Sequence, residues 1–466
     1  MSELTKITRR GFLRVTALMA GAAALAACAP KATPAPAGAP APKAAEQPAA
    51  APASKEKVEV TFQARGDEAI FKVFRDLKAD FESRVDGITI KIDEAPTEWW
   101  QKLQVAVAGG TAPDSCFSAA GSVQQGAFIG LFNAMDDYLD ADPRYNYDDF
   151  YPMSLYSGEY KGEYYHLPYD GGTVVLNYNI DLFEEEGLPL PDPKVPLTWD
   201  EYLELGLKLT KDMDGRKPGE SGFDPSRIKQ YGCNPGTGYY FQWIRWNGGE
   251  LFAEEDREKR ENCTIDSPEA IEAVQFLADF GAKHHCSPSP AFEQSSPINL
   301  FNGNLAMDFQ GVWNNVRQRQ VEFNWDVAPL LQGRARRPLA WWSGLSLLTD
   351  GKNKAEGYEW LWYCTSVDGQ SIVSKLGQAV PHLKALANSP VFLDPNTKPD
   401  NDQVYLDELN HPDISIHAGI WHYQAGLNTI IAAEMGPVWR GEKTAAEVLP
   451  GVAAKLTHLA KTGEVT

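Results

Sequence analysis

Residues 162–210 constrain this chain more than any other stretch. Residues 173–178, Thr-Val-Val-Leu-Asn-Tyr, are rich in β-branched and apolar side chains and read as a buried strand. Asp170-Gly171-Gly172 precedes them, and glycine lets a backbone turn freely. The prolines of residues 189–196 forbid regular structure. Thr198-x-x-Glu201 then forms a capping box, and Tyr202, Leu205 and Leu209 continue a helical stripe. The stretch is therefore an α/β unit with a flexible joint at Asp170–Gly172.

A second α/β unit opens the globular part. Residues 58–64 alternate as a strand, and Ile70, Phe74, Leu77, Phe81 and Val85 repeat at helical spacing. Residues 88–92 read as the next strand, which makes a βαβ unit with a parallel sheet. Arg65-Gly66-Asp67 falls at the carboxyl end of the first strand, where open α/β sheets bind ligands. An exposed turn explains the same residues equally well.

Several segments together resemble the bacterial extracellular solute-binding proteins of the maltose-binding-like group. They are Gly162 through Leu167-Pro168, then Leu176-x-Tyr178-Asn179-x-x-Leu182-Phe183, Gly187-Leu188 and Pro196-x-Thr198-Trp199-x-Glu201. Phe301, Gly303, Ala306-Met307, Gly311 and Trp313 form a second matching run. Gly109-Gly110-x-x-Pro113-Asp114 and Gly441-x-Lys443-Thr444 match further pieces, so the resemblance covers residues 58–466. It implies a two-lobed α/β fold of the periplasmic-binding-protein type, with a hinge of about three crossings. Residues 58–170 and 345–390 would form the N-terminal lobe, and residues 171–344 and 391–466 the C-terminal lobe. The crossings would fall at Asp170–Thr173, at Trp341–Gly344 and after Pro381.

The resemblance also implies a function. Such a protein captures a sugar between its lobes and delivers it to an ABC permease. No G-x-x-x-x-G-K-[ST] loop occurs, so the ATPase would be a separate subunit. Trp313 is the expected platform under a sugar ring. Arg65, Asp67, Asp170, Tyr240, Trp243 and Trp342 are the other expected ligand-binding residues. Five aromatics among residues 239–246 exceed one helical face, so some of them should line a cleft. No cofactor or metal is expected: no C-x-x-C occurs, and His284-His285 lack metal-ligand spacing.

The N-terminus reads as an address. Thr8-Arg9-Arg10-Gly11-Phe12-Leu13-Arg14 is a twin-arginine pattern, followed by an apolar run too short to span a bilayer. Leu25-Ala26-Ala27-Cys28 resembles a lipobox, so residues 1–27 are the expected leader and Cys28 the expected lipidation site. Residues 28–57 are dominated by Ala and Pro and read as a disordered tether. The expected location is extracytoplasmic, lipid-anchored to the cell membrane, as a monomer.

The whole chain carries 43 Lys+Arg and 63 Asp+Glu. Residues 1–57 hold 8 and 3 of these, which leaves 35 and 60, a net −25, on residues 58–466. Nucleic acid and anionic membrane surfaces both need a basic face, so neither is an expected partner of the globular part.

Five cysteines remain besides Cys28: Cys116, Cys233, Cys263, Cys286 and Cys364. Cys263 and Cys286 flank a helix beginning at Ser267-Pro268, whose length separates its ends by about 20 Å. A disulfide needs Cα atoms within about 7 Å, so that pairing is not expected.

Two other functions stay open at this point. A secreted glycoside hydrolase needs two facing carboxylates about 5–10 Å apart. Asp136-Asp137 is the adjacent acidic pair, but at a helix start it opposes the dipole. A binding protein for a phosphorylated or cationic solute would instead use clustered Arg or Lys, or an aromatic and acidic cleft.

Overall fold

The computed structural model describes residues 57–288, 299–416 and 421–465. The expected leader, tether and Cys28 lie outside them.

Strand β1 (Val58–Arg65), helix α1 (Glu68–Arg84) and strand β2 (Ile88–Ala95) form the opening unit. β1 and β2 pair in parallel from Val58↔Ile88 to Arg65↔Ala95, as the βαβ reading requires. Asp67 caps α1, accepting from the Ile70 N–H, and Ile70, Phe74, Leu77 and Phe81 are buried on one stripe. Helix α2 (Trp99–Ala108) leads to strand β3 (Ser115–Ser118), which pairs with the other side of β1. Asp114 is structural. Its Oδ1 accepts from the Lys352 and Asn353 N–H groups, both at 2.8 Å, and its Oδ2 from the Thr61 N–H at 2.8 Å.

Strand β4 (Leu167–Asn179) runs through the molecule, and its length departs from expectation. The chain does not turn at Asp170–Gly172 but stays extended across all 13 residues. The glycines serve close packing, and Gly172 also holds a φ of +144° that residues with a side chain rarely adopt. A Cβ on Gly171 would sit 2.3 Å from the Trp341 carbonyl oxygen, and one on Gly172 would sit 2.7 Å from a Val380 methyl. Helix α3 (Trp199–Leu209) follows the proline loop, with both arms of the Thr198/Glu201 capping box formed. Helices α4 (Tyr240–Trp246) and α5 (Pro268–Ala282) follow.

Strand β5 (Met307–Gly311), helix α6 (Asn315–Gln318), strand β6 (Trp325–Ala328) and strand β7 (Leu339–Leu347) complete the central scaffold. The sheet order is β6-β4-β7-β3-β1-β2, with β5 also on β4. The first half of β4 pairs antiparallel with β7, and its second half with β5 and β6. β7 is a second long strand, starting six residues before the apolar run from Leu345 that the sequence marked. Helices α7 (Lys354–Thr365) and α8 (Val367–Lys375) pack after it, and α9 (Ala445–Thr462) closes the chain.

Side-chain alternation along β4 partitions the core. Val174, Leu176 and Tyr178 enter a large cluster with Trp243, Leu277 and Leu456. Val175, between them, faces a separate cluster with Val312, Trp342, Val380 and Tyr405. Tyr169, nearer the strand's start, joins Phe62, Phe74 and Trp360 in a third. Both faces of one strand are thus buried, each large side chain contributing about 1.5–3 kcal/mol. Among the described residues no helix is long and apolar enough to cross a membrane.

Candidate functional site

A cavity of about 320 Å³ opens where β1, β3, β4 and β7 meet the segment after β5. β1 ends there in Arg65, β3 contributes Phe117 and β4 contributes Asp170. β7 contributes Trp341 and Ser343, two residues apart and so on one face of the strand. Trp313, Arg317 and Tyr239 complete the wall.

Trp313 owes its position to the residue two before it. A Cβ on Gly311 would lie 2.2 Å from the indole ring, so only glycine lets the ring fold back over the strand end. The Trp313 and Trp341 rings meet edge to face at 6.4 Å. Together they give the cavity an apolar wall that suits the CH face of a flat ring.

Asp170 supplies the polar floor. Its Oδ2 accepts from Gln378 Nε2 at 2.9 Å, whereas its Oδ1 has no hydrogen-bond partner among the described residues. Burial pushes its pKa up to about 6, against the opposing pull of Gln378, Arg65 and Arg317. The Arg65 guanidinium lies 5.6 Å from the Trp99 ring centroid and 5.9 Å from that of Phe117. Burial lowers its pKa, and the nearby Asp170 charge resists that shift.

Asp67 stands at the rim. Its Oδ2 accepts from Arg317 Nε, while Arg317 Nη1 donates to Asn314 Oδ1 at 2.9 Å. Burial acts to raise the Asp67 pKa, but the Arg317 bond and the Ile70 and Ala69 N–H groups outweigh it and hold the carboxyl low. Each cavity guanidinium thus has a carboxylate beside it, and the site carries no large excess of either sign.

Arg65, Asp170 and Trp313 are brought together as the sequence suggested, with Asp67 beside them. Three other expected residues are elsewhere. Tyr240 and Trp243 lie on α4 inside the large apolar cluster, and Trp243 Nε1 donates to the Pro235 carbonyl at 3.1 Å. Trp342 is fully buried in the cluster around Val175. The reason is local in both cases. Tyr239 precedes the helix and escapes its buried face, and β7 alternation sends Trp341 to the cavity and Trp342 to the core. Arg317 had a weaker signal, sitting four residues after Trp313 where a helical turn returns to the same side.

Among the described residues that line the cavity, Asp170 is the sole carboxylate. Two facing carboxylates for glycoside hydrolysis are therefore not assembled there. No group of three or more metal-ligating side chains occurs among the described residues. A larger hollow of about 650 Å³ lies beside Glu250 and Arg337, and none of the expected site residues lines it. Its Arg337 and Arg245 are ion-paired to Glu250, and among the described residues Phe252 is the one aromatic ring lining it.

The sequence pattern of bacterial extracellular solute-binding proteins matches residues 65–371. The chain belongs to that family. A maltotriose-binding protein of Pyrococcus abyssi is 24% identical over 337 residues, 71% of this chain. The chain spans 66% of that relative's length. The sn-glycerol-3-phosphate-binding periplasmic protein of Salmonella typhimurium is 23% identical over 338 residues, 67% of this chain and 71% of its own. Among solved structures, an ABC substrate-binding protein from Listeria monocytogenes in complex with cycloalternan superposes with a TM-score of 0.76. That likeness covers 87% of this chain and all of the other at 21% identity. The architecture is the mixed α/β periplasmic-binding-protein-like fold.

Proposed function

We propose that this solute-binding protein captures a carbohydrate in the Trp313 cavity and delivers it to an ABC permease with a separate ATPase. The observation that carries the reading is the pairing of an aromatic wall with one acceptor that lacks a partner among the described residues. Trp313 and Trp341 offer ring faces and edges, and Asp170 Oδ1 has its hydrogen-bonding capacity unused. A sugar needs both, because its CH face is apolar and its rim carries hydroxyl donors. The compensated charges of the Arg317–Asp67 pair favour a neutral ligand over a phosphorylated one.

The reading includes a two-lobed mechanism. Residues 58–170 and 345–390 form one lobe, residues 171–344 and 391–466 the other, and β4 and β7 are two of the crossings. Ligand touching both lobes favours closure by its differential affinity for the closed state. The leader directs export and is removed, and the lipidated Cys28 with the tether of residues 28–57 holds the binding domain, a monomer, outside the cytoplasm.

Thermal unfolding against a panel of neutral mono- and oligosaccharides tests this. A ligand at 100 times its Kd stabilises by about 2.7 kcal/mol, visible as a shift in midpoint. A second reading, an anionic ligand such as a glycerol phosphate, draws on Arg65 and Arg317 lining one cavity. It predicts that the phosphate ester shifts the midpoint and that no neutral sugar does.

A further inference from the structure

We propose that Cys233 and Cys286 are a disulfide-forming pair that braces the segment carrying Tyr239 into the cavity. Their Sγ atoms lie 3.9 Å apart, and both residues are fully buried. The backbones run side by side. The Cys233 N–H donates to the Cys286 carbonyl at 3.2 Å, and Cys233 Sγ lies 3.5 Å from the same oxygen. A disulfide needs its sulfurs about 2.05 Å apart, so the two side chains have a gap of about 2 Å to close.

The surroundings accommodate the pair. A Cβ on Gly206 of α3 would lie 2.7 Å from Cys233 Sγ and 3.6 Å from Cys286 Sγ, so the absence of a side chain there makes the room. The other three described cysteines, Cys116, Cys263 and Cys364, are also buried. Cys286 follows α5, and Cys233 is followed by Asn234, which bridges to Asp308 on β5. The bond would thus tie the end of α5 to the loop that presents Tyr239.

The chemistry balances as thiol–disulfide exchange with a small-molecule or protein disulfide. One cysteine thiolate attacks a sulfur of that oxidant, forming a mixed disulfide and releasing one oxidant thiol. The second cysteine attacks the first one's sulfur, closes the Cys233–Cys286 bond and releases the second oxidant thiol. Two electrons pass to the oxidant, and the two protein thiols give up their protons. Burial pushes the Cys233 thiol well up, so closure belongs to folding rather than to the finished protein. The geometry does not depend on the proposed export.

The test is redox refolding of the reduced full-length chain in a buffer of reduced and oxidised glutathione. Free thiols are then alkylated under denaturing conditions, and peptides are mapped by mass spectrometry without reduction. The expected product is one cross-linked peptide pair containing Cys233 and Cys286, with the remaining thiols alkylated. The bond closes a span of 53 residues, so the oxidised protein should melt on the order of 5 °C higher than its reduced form. The Cys233→Ala/Cys286→Ala double variant keeps the packing volume small and should show no redox-dependent shift. Alkylation of both cysteines after refolding, or a bond to Cys263, Cys116 or Cys364 in their place, would overturn the proposal. These outcomes are independent of ligand binding, so they leave the transport reading to its own test.

Discussion

Gln378 Nε2 donates to Asp170 Oδ2 at 2.9 Å, and the Val380 N–H donates to the Gly171 carbonyl at 2.9 Å. The segment after α8 is thereby laced to β4 where that strand passes the cavity. Gln378 holds one oxygen of Asp170, and the other is buried without a hydrogen-bond partner among the described residues. Asp170→Asn keeps the shape and removes the charge. Loss of a charge-assisted hydrogen bond costs about 1.5–3 kcal/mol, so affinity should fall roughly 10- to 100-fold. The variant should also change the pH profile. The folded-state pKa of about 6 lies above the ordinary carboxylate value, so the carboxyl is protonated in the folded chain below about 6. Its contribution to stability is therefore largest in acid and declines as pH rises from about 4 through 6. Binding runs the opposite way, strengthening as the carboxylate forms. Calorimetry from pH 5 to 8 should show this rise in the wild type and not in Asp170→Asn.

Gly171→Ala tests the packing role of the glycines directly. The added methyl meets the Trp341 carbonyl oxygen and the Trp342 backbone, neither of which can swing aside. Overpacking of this kind costs about 1–3 kcal/mol. Urea unfolding should show a lowered midpoint with an unchanged slope. If Gly171 were instead a flexible joint with space around it, alanine would be neutral or slightly stabilising.

Much of this was legible in the sequence, and the failures have specific physical causes. The βαβ opening followed from apolar spacing, and the Thr198/Glu201 capping box from local hydrogen-bond chemistry. Trp313 was legible through the family resemblance, while the packing of its ring over Gly311 shows only in the structure. The length of β4 was not, because Gly171-Gly172 reads locally as a turn while its reason is the close approach of β7 and Val380 from far along the chain. The choices of Trp342 over Trp341 and Tyr240 over Tyr239 failed by one residue each. Which face of a strand meets solvent is set by register with its neighbours, and adjacent aromatics give alternation nothing to discriminate. The Cys233–Cys286 approach was equally hidden, since 53 positions separate the two residues.

Arg317→Ala removes the ion pair at the cavity rim and should separate rim electrostatics from fold stability. The Asp67 and Arg317 side chains are 51% and 29% exposed, so the pair contributes at most about 1 kcal/mol to stability. Asp67→Ala should cost about 1 kcal/mol more, because it also uncaps α1. Chemical denaturation of both variants checks the ordering. Equal losses would mean that the cap adds nothing to the ion pair.

Cys28→Ser tests the anchor. The variant should appear in the soluble extracytoplasmic fraction with ligand affinity unchanged, because the binding domain begins after residue 57. Retention on membranes through a carbonate wash would contradict lipidation at Cys28.

The most direct test of carbohydrate capture is calorimetry of wild type and Trp313→Ala against the best hit from the neutral sugar panel. An aromatic contact contributes about 0.5–1.5 kcal/mol beyond the area it buries. With the lost burial added, Kd should rise about 10- to 100-fold. The apo variant should unfold near the wild-type midpoint, since Trp313 is only half-buried. Unchanged affinity in Trp313→Ala, or saturable binding of a phosphate ester with no heat from any neutral sugar, would contradict the account.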